Sequence, residues 1–424
     1  MIDKVASVDS YLKLSFIVLM LALFMPLYGF MYLGMIVISI CAIIIYVTFN
    51  QIDVSFLGHS KSTLFFFLIY LIYPIITIFW AESFKFYYSQ IRFTILHFLI
   101  YFITYFFLIK IFPNQKLFLK IIIGIGVIYI LTSLWELATS SHLYTSKYYG
   151  TPIPIPTGFY YNENNQNIVT SMMLPYAGYF FLTSKKFFKR FFYLFVMLMF
   201  VIISAAAGAR ISMAISVPFL IYILIRKRSL KLTGAIIIAM VLAYSFVSIY
   251  KAKELRLATA YLKHQYESID QEVNDYRIGS TKIRVNMIKN TIKLFEKSNF
   301  VGVGAGNYDY HTKQGDFSHV DWIENSHTYF FELLANYGLF LVIPFILLLV
   351  GLFKNIFLIY KGASGNLKIL AEMNMIQIPI FFAVGFIPSS FFPIFQVWVF
   401  IGYLSAFIYV NRQNRKDAKA EIII

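Results

Sequence analysis

Carboxylates are scarce in this chain. Only 20 of its 424 residues are Asp or Glu, against 36 Lys or Arg, and charged residues of both signs make up 13%. So little charge cannot solubilise a chain that is 59% hydrophobic and 19% aromatic, with a mean hydropathy of +0.71. A water-soluble globule is excluded, and a polytopic membrane protein remains. Cysteine is nearly absent as well: Cys41, inside an apolar run, cannot build an internal disulfide framework and says nothing about redox compartment. The formal charge of +16 does not point to nucleic acid, because the basic residues form no aromatic-interleaved patch and no nucleic-acid-binding motif. There is no repeat between the two halves, no heptad pattern and no low-complexity tract. The first apolar run follows Lys4 and Lys13 as a signal sequence would, yet it continues into Met25-Pro26-Leu27-Tyr28 without a small-x-small cleavage site, so it reads as a retained anchor.

What is present is a series of apolar runs. About twelve have the ~17–25 residues needed to cross hydrocarbon, centred near residues 20, 40, 71, 101, 128, 175, 198, 217, 240, 340, 380 and 402. Basic clusters fill alternate connections: Lys110, Lys116 and Lys120; Lys185, Lys186, Lys189 and Arg190; Arg226, Lys227, Arg228 and Lys231; Lys354, Lys361 and Lys368. The tail adds Arg412, Arg415, Lys416 and Lys419. All fall on one side if the spans alternate and both termini are cytoplasmic. The expected organisation is nine spans over 1–250, an extracytoplasmic subdomain over 251–325, three spans over 326–410 and a basic cytoplasmic tail over 411–424. The fold class is thus an all-α integral membrane protein, with one large outward loop between its ninth and tenth helices.

That loop concentrates half of all the carboxylates, and loops of such length are functional or disordered. Order is expected here. Over Lys282–Lys297 a helical projection puts Ile283, Met287, Ile288, Ile292, Leu294 and Phe295 on one face, with Lys282, Asn286, Lys289, Lys293 and Lys297 on the other. Gly302, Gly304 and Gly306 then predict a tight turn before the chain returns to the membrane. Asn325 or Ser326 can cap the helix that follows, and the segment from His327 to Gly338 is expected to run into a span without a break.

Three residues on the outer side are candidates for chemistry. Arg284 projects into the apolar face of its helix, where it either snorkels or meets a buried anion. Arg210 follows the small-residue run Ser204–Ala209 at the outer end of a span, the wrong side for a topology-setting arginine; it is an interfacial snorkel or an anion ligand. His327 opens the helix at interface depth, as a hydrogen-bonded interfacial residue or as a general base whose neutral imidazole takes a proton from a hydroxyl. Glu332, inside the same span, is a structural partner or a charge relay or acceptor-binding group. Tyr160-Tyr161-Asn162-Glu163-Asn164-Asn165-Gln166-Asn167 supplies amides and aromatics suited to sugars. The glycine turn lacks the spacing and preceding strand of a dinucleotide site, Asp270 and Glu272 read as solvated surface, and His264, His311 and His319 lack metal-ligand spacing.

Four stretches, in order, resemble the O-antigen ligase/polymerase superfamily of bacterial membrane glycosyltransferases. These are Gly158–Asn167, Ala207-Gly208-Ala209-Arg210, the arginine helix from Arg284 into Val301–Asn307, and Ser326–Gly338. They cover roughly the second two-thirds of the chain. Thr328 and Asn336 depart from the family's common asparagine and acid, which bears on acceptor contacts. The resemblance implies a glycosyltransferase-C-like fold and a glycan donor on a polyprenyl diphosphate. It implies Arg210 and Arg284 on the diphosphate, His327 on the acceptor hydroxyl, and Glu332, Asn325, Asn162 and Asn165 in acceptor or supporting roles. It further implies an acceptor glycan, membrane lipid and partners such as a chain-length regulator or flippase, with no cofactor and a metal-independent inverting displacement. The alternatives are a ligase passing finished glycan to a lipid, wall or protein acceptor, and, from another class, a twelve-span transporter or flippase.

Overall fold

The computed structural model describes residues 2–26, 31–50, 61–110, 115–227, 280–314, 329–386 and 394–421. Every regular element among them is helical. In chain order they are α1 (Ile2–Phe24), α2 (Met31–Asn50), α3 (Lys61–Ile76), α4 (Phe84–Lys110), α5 (Gln115–Thr139), α6 (Glu163–Thr183), α7 (Phe187–Ala206) and α8 (Arg210–Arg226). Then follow α9 (Ser280–Lys297), α10 (Asn307–Thr312), α11 (Tyr329–Lys361), α12 (Gly365–Val384) and α13 (Gln396–Glu421). Five of them, α4, α5, α7, α11 and α12, are long and apolar enough to cross a membrane. Eleven of the twelve expected span centres lie inside described helices, and the one near residue 240 lies outside the described residues.

α6 explains why hydropathy alone misjudges a helix. It carries Asn, Gln, Thr and Ser, yet Gln166–Phe181 are all buried, so it is a central helix wrapped by protein on every side. Two of its polar side chains bond neighbouring helices: Gln166 Nε2 donates to Ser133 Oγ at 2.6 Å, and Ser204 Oγ donates to Asn167 Oδ1 at 2.7 Å. The helices at the periphery do the opposite and expose Ile, Leu and Phe along one stripe, as lipid-facing surfaces do.

The bundle has two distinct ends. At one, basic side chains tie helices together: Arg226 to Glu372, Lys227 to the Leu182 carbonyl and Arg412 to Asn355. Phe187, Phe188 and Phe191 stand exposed beside Lys185, Lys186, Lys189 and Arg190, an aromatic and basic rim of the kind found where a membrane meets water. At the other end, the Phe24 carbonyl accepts from Tyr160 and Tyr129, and the Gly385 carbonyl accepts from the Tyr329 amide at 2.8 Å. The starts of α4, α6, α8 and α11 lie at this second end.

Two expectations are overturned here. The segment after His327 does not run unbroken: Gly338, at φ 60° and ψ −156°, divides α11 into a short first part and a long second part. The break frees the carbonyls of Ala335 and Asn336 from helical partners, and the amides of Val303 and Gly304 take them up, each at 2.9 Å. The buried face of α9 is also rotated from the projected one. Met287, Asn290, Thr291 and Leu294 are buried while Ile292 is 43% exposed, because the helix packs on polar backbone as well as on side chains. Lys289, Lys293 and Lys297 do point away.

Candidate active site

The glycine turn is the best-defined part of the second end. Gly302, Gly304 and Gly306 all have positive φ, at 91°, 98° and 69°, a region that costs glycine little and other residues much. At Gly302 and Gly306, and at Gly338 opposite them, the need is also steric. A Cβ on Gly302 would lie 2.6 Å from the Asn336 carbonyl and the Gly338 amide, one on Gly306 2.4 Å from the Phe86 carbonyl, and one on Gly338 2.0 Å from the Phe300 carbonyl. Two backbones therefore cross in contact, with Leu339 N donating to the Phe300 carbonyl at 3.1 Å.

Side chains from three directions fasten the turn. Tyr73 Oη donates to the Val301 carbonyl at 2.8 Å, Trp80 Nε1 to the Gly302 carbonyl at 2.9 Å, and the Ala305 amide to Thr77 Oγ1 at 3.1 Å. Asn307 accepts from the Ser83 amide at 2.7 Å, and Asn336 Oδ1 accepts from the Tyr308 amide at 3.0 Å while its Nδ2 donates to the Glu332 carbonyl. Asn336 thus bridges two backbone segments, its own helix and the start of α10. Glu332 is 5% exposed and lies within electrostatic reach of the buried phenols of Tyr70, Tyr329 and Tyr337.

The other expected residues divide by location. Arg210 is exposed at the start of α8, two residues after Gly208, whose φ of 66° turns the chain between α7 and α8. Asn162 caps α6, accepting from the Asn165 amide at 3.0 Å, and the Asn165 side chain is half-buried beside it. The Ser204–Asn167 bond holds α6 against α7, so the asparagines and Arg210 share this end of the bundle. Arg284 lies in α9, one turn before the buried Met287, and its side chain lies outside the described residues. His327 and Asn325 lie outside them too, immediately before Tyr329 at the start of α11.

Several groups here carry no sequence signal of their own. Glu136, fully buried, accepts from His142 Nδ1 at 2.9 Å, Thr157 Oγ1 at 2.9 Å and the amides of Thr157 and Gly158 at 2.9 and 2.7 Å. It staples the loop before α6, and His142 reaches on to the Ile153 carbonyl at 2.6 Å. His97, in α4, bonds Tyr70 at 2.7 Å and stacks on Trp398 with centroids 4.9 Å apart. Between α8 and α12 a groove of about 580 Å³, lined by Pro218, Phe219 and Pro379, ends at Tyr222 and Glu372, where Arg226 Nε donates to Glu372 at 3.0 Å.

A second cavity, of about 400 Å³, opens at the glycine turn between Trp80, Glu82, Lys297, Asn299 and His311. Glu82 and His311 approach to 3.7 Å. Burial pushes the His311 pKa below 6.5, with Lys297 adding to the effect and Glu82 opposing it. His311 is therefore neutral near pH 7 and can both donate and accept.

The family model described as O-antigen ligase matches residues 192–346, from α7 through the Gly338 break. A teichuronic acid biosynthesis protein of Bacillus subtilis (strain 168), TuaE, is 24% identical over 371 residues, covering 84% of this chain and 73% of that protein. The matched interval contains Arg210, Arg284, the glycine turn and His327.

Proposed function

We propose, on the premise that this chain belongs with the O-antigen ligase/polymerase superfamily, that it is a twelve-span glycosyltransferase joining polyprenyl-diphosphate-linked glycan to an acceptor sugar hydroxyl. That it is a multi-pass membrane enzyme of surface polysaccharide biosynthesis rests on the family match and the relative. The observation that carries the reaction is convergence. Arg210, the α6 asparagines, the glycine turn and the start of α11, two residues beyond His327, gather at the end of the bundle away from the basic rim. With the basic rim cytoplasmic, that end faces outward.

In the proposed reaction His327 takes the proton of the acceptor hydroxyl as its oxygen bonds to the anomeric carbon from the face opposite the diphosphate. The bond from that carbon to the phosphate oxygen breaks, and the diphosphate leaves with the electron pair. Arg210 and Arg284 offset its charge through paired hydrogen bonds. Configuration inverts once, and no metal takes part. Glu332, buried one turn inside α11, holds the helix start rather than touching acceptor.

His327→Ala, expressed at the wild-type level in the cells that carry the protein, is expected to abolish polymer of normal length, and Arg210→Ala or Arg284→Ala to reduce it by about tenfold or more. Chains of normal length in normal amount from His327→Ala would sink the assignment. A ligase moving finished glycan to another acceptor uses the same groups; it would leave chain length unchanged in the variants and reduce only the amount transferred.

A further inference from the structure

The proposed reaction leaves one cavity of mixed lining at the same end of the bundle unemployed, the one between the α3–α4 turn and the glycine turn. We propose that it is a glycan subsite, seating a sugar ring away from the bond being made. This rests on the glycosyltransferase reading; what the cavity adds is where the chain is gripped.

Trp80 forms the wall. Its indole N–H is spent on the Gly302 carbonyl, so the ring offers the cavity carbon surface and cannot swing away. Around it stand Glu82, Lys297, Asn299 and His311, an acceptor, a donor, an amide with both, and an imidazole with both. A pyranose has this same duality, with C–H groups on its face and hydroxyls around its edge. An aromatic platform bordered by mixed hydrogen-bonding groups matches it ring face to ring face. Other occupants fit worse. A diphosphate would meet Glu82, and a lipid tail, though it would suit Leu294, Val301 and Val303, would bury Glu82, Lys297, Asn299 and His311 against hydrocarbon.

The backbone at the lip supports a functional origin. Asn299 and Phe300 sit at φ 50° and 67°, and a left-handed phenylalanine is a genuine outlier. The strain is held by the Phe300 amide on the Phe295 carbonyl at 3.0 Å and by the Leu339 amide on the Phe300 carbonyl. Strain maintained in this way clusters at binding sites. The position in α9 then says which sugar is meant. Lys297 lies thirteen residues beyond Arg284 in one helix, ~20 Å at 1.5 Å per residue. If Arg284 holds the diphosphate, the cavity reaches a sugar several units away, and it governs how long the chain is retained rather than the bond-making step.

The test uses the purified full-length protein and fluorescently labelled oligosaccharides released from the cells' own surface polysaccharide, read by anisotropy. Wild type and His327→Ala are expected to bind alike. Trp80→Leu should weaken binding about tenfold and Trp80→Phe by no more than about threefold, the worth of one aromatic contact. Because Trp80→Leu also removes a hydrogen bond to the turn, Glu82→Ala serves as the second variant; its side chain is 57% exposed, and it should weaken binding at unchanged thermal midpoint. In cells, Trp80→Phe and Glu82→Ala should keep polymer synthesis, with shorter chains from Glu82→Ala. Fragments that fail to bind wild type, or that bind Trp80→Leu and Glu82→Ala as tightly as wild type, would overturn the subsite and leave the His327 result standing. Normal polymer from His327→Ala would remove the catalytic reading while leaving the binding measurement intact.

Discussion

His311 illustrates how a single residue can be misjudged from spacing. Without metal-ligand partners in sequence it looked idle, yet folding sets it 3.7 Å from Glu82 and beside Lys297. Its folded pKa lies below the unfolded 6.5, so between those two values the unfolded chain binds more protons. Stability therefore rises with pH through that window and is lost as pH falls through it. Histidine-selective NMR titration should find the His311 midpoint below 6.5. Glu82→Gln should lower it further, and Lys297→Gln should raise it; a midpoint indifferent to both would remove the two charges from its surroundings. Trp80 and Glu82 were equally silent in the sequence, because a cavity wall is assembled from segments more than 200 residues apart. Asn162 reads in the sequence as an amide suited to sugars, and the fold uses its side chain as the cap of α6, local chemistry of the other kind.

At the scale of elements, apolar periodicity located α1 to α8 and α11 to α13 but not the break at Gly338. Glycine within an apolar run is common in membrane helices, and nothing nearby distinguishes this one. What requires it lies elsewhere in the chain: the Phe300 carbonyl, 2.0 Å from where its Cβ would be. Gly338→Ala should therefore cost about 2 to 4 kcal/mol, read as a lowered unfolding midpoint in detergent. Gly124→Ala, in α5 with open space around it, should be neutral or stabilising by up to about 1 kcal/mol. Equal effects of the two would mean that the crossing is not tight. The α9 face was misread for a related reason, since Asn290 and Thr291 are buried and hydrophobicity alone cannot count polar residues as interior.

For the whole molecule, composition was sufficient for the membrane class and the helical fold, because 59% hydrophobic residues and so few charges leave no other architecture. The proposed sidedness rests on the separation of the basic rim from the end that holds Arg210 and the glycine turn. A reporter enzyme inserted at Asp275 should be active only outside the cell, and one fused after Lys419 only inside. Activity of the Asp275 fusion in the cytoplasm would invert the molecule and with it the donor's route to the arginines.

The crossing of Gly302 over Gly338 has a consequence for evolution as much as for folding. The Val303, Gly304 and Leu339 amides tie the two backbones at this crossing, and Tyr329, Leu333 and Tyr337, which precede Gly338 in α11, are themselves part of the bundle core. Substitutions between the two glycines therefore reach the spans wherever they fall on those core positions, so this stretch and the helices around it can only drift together.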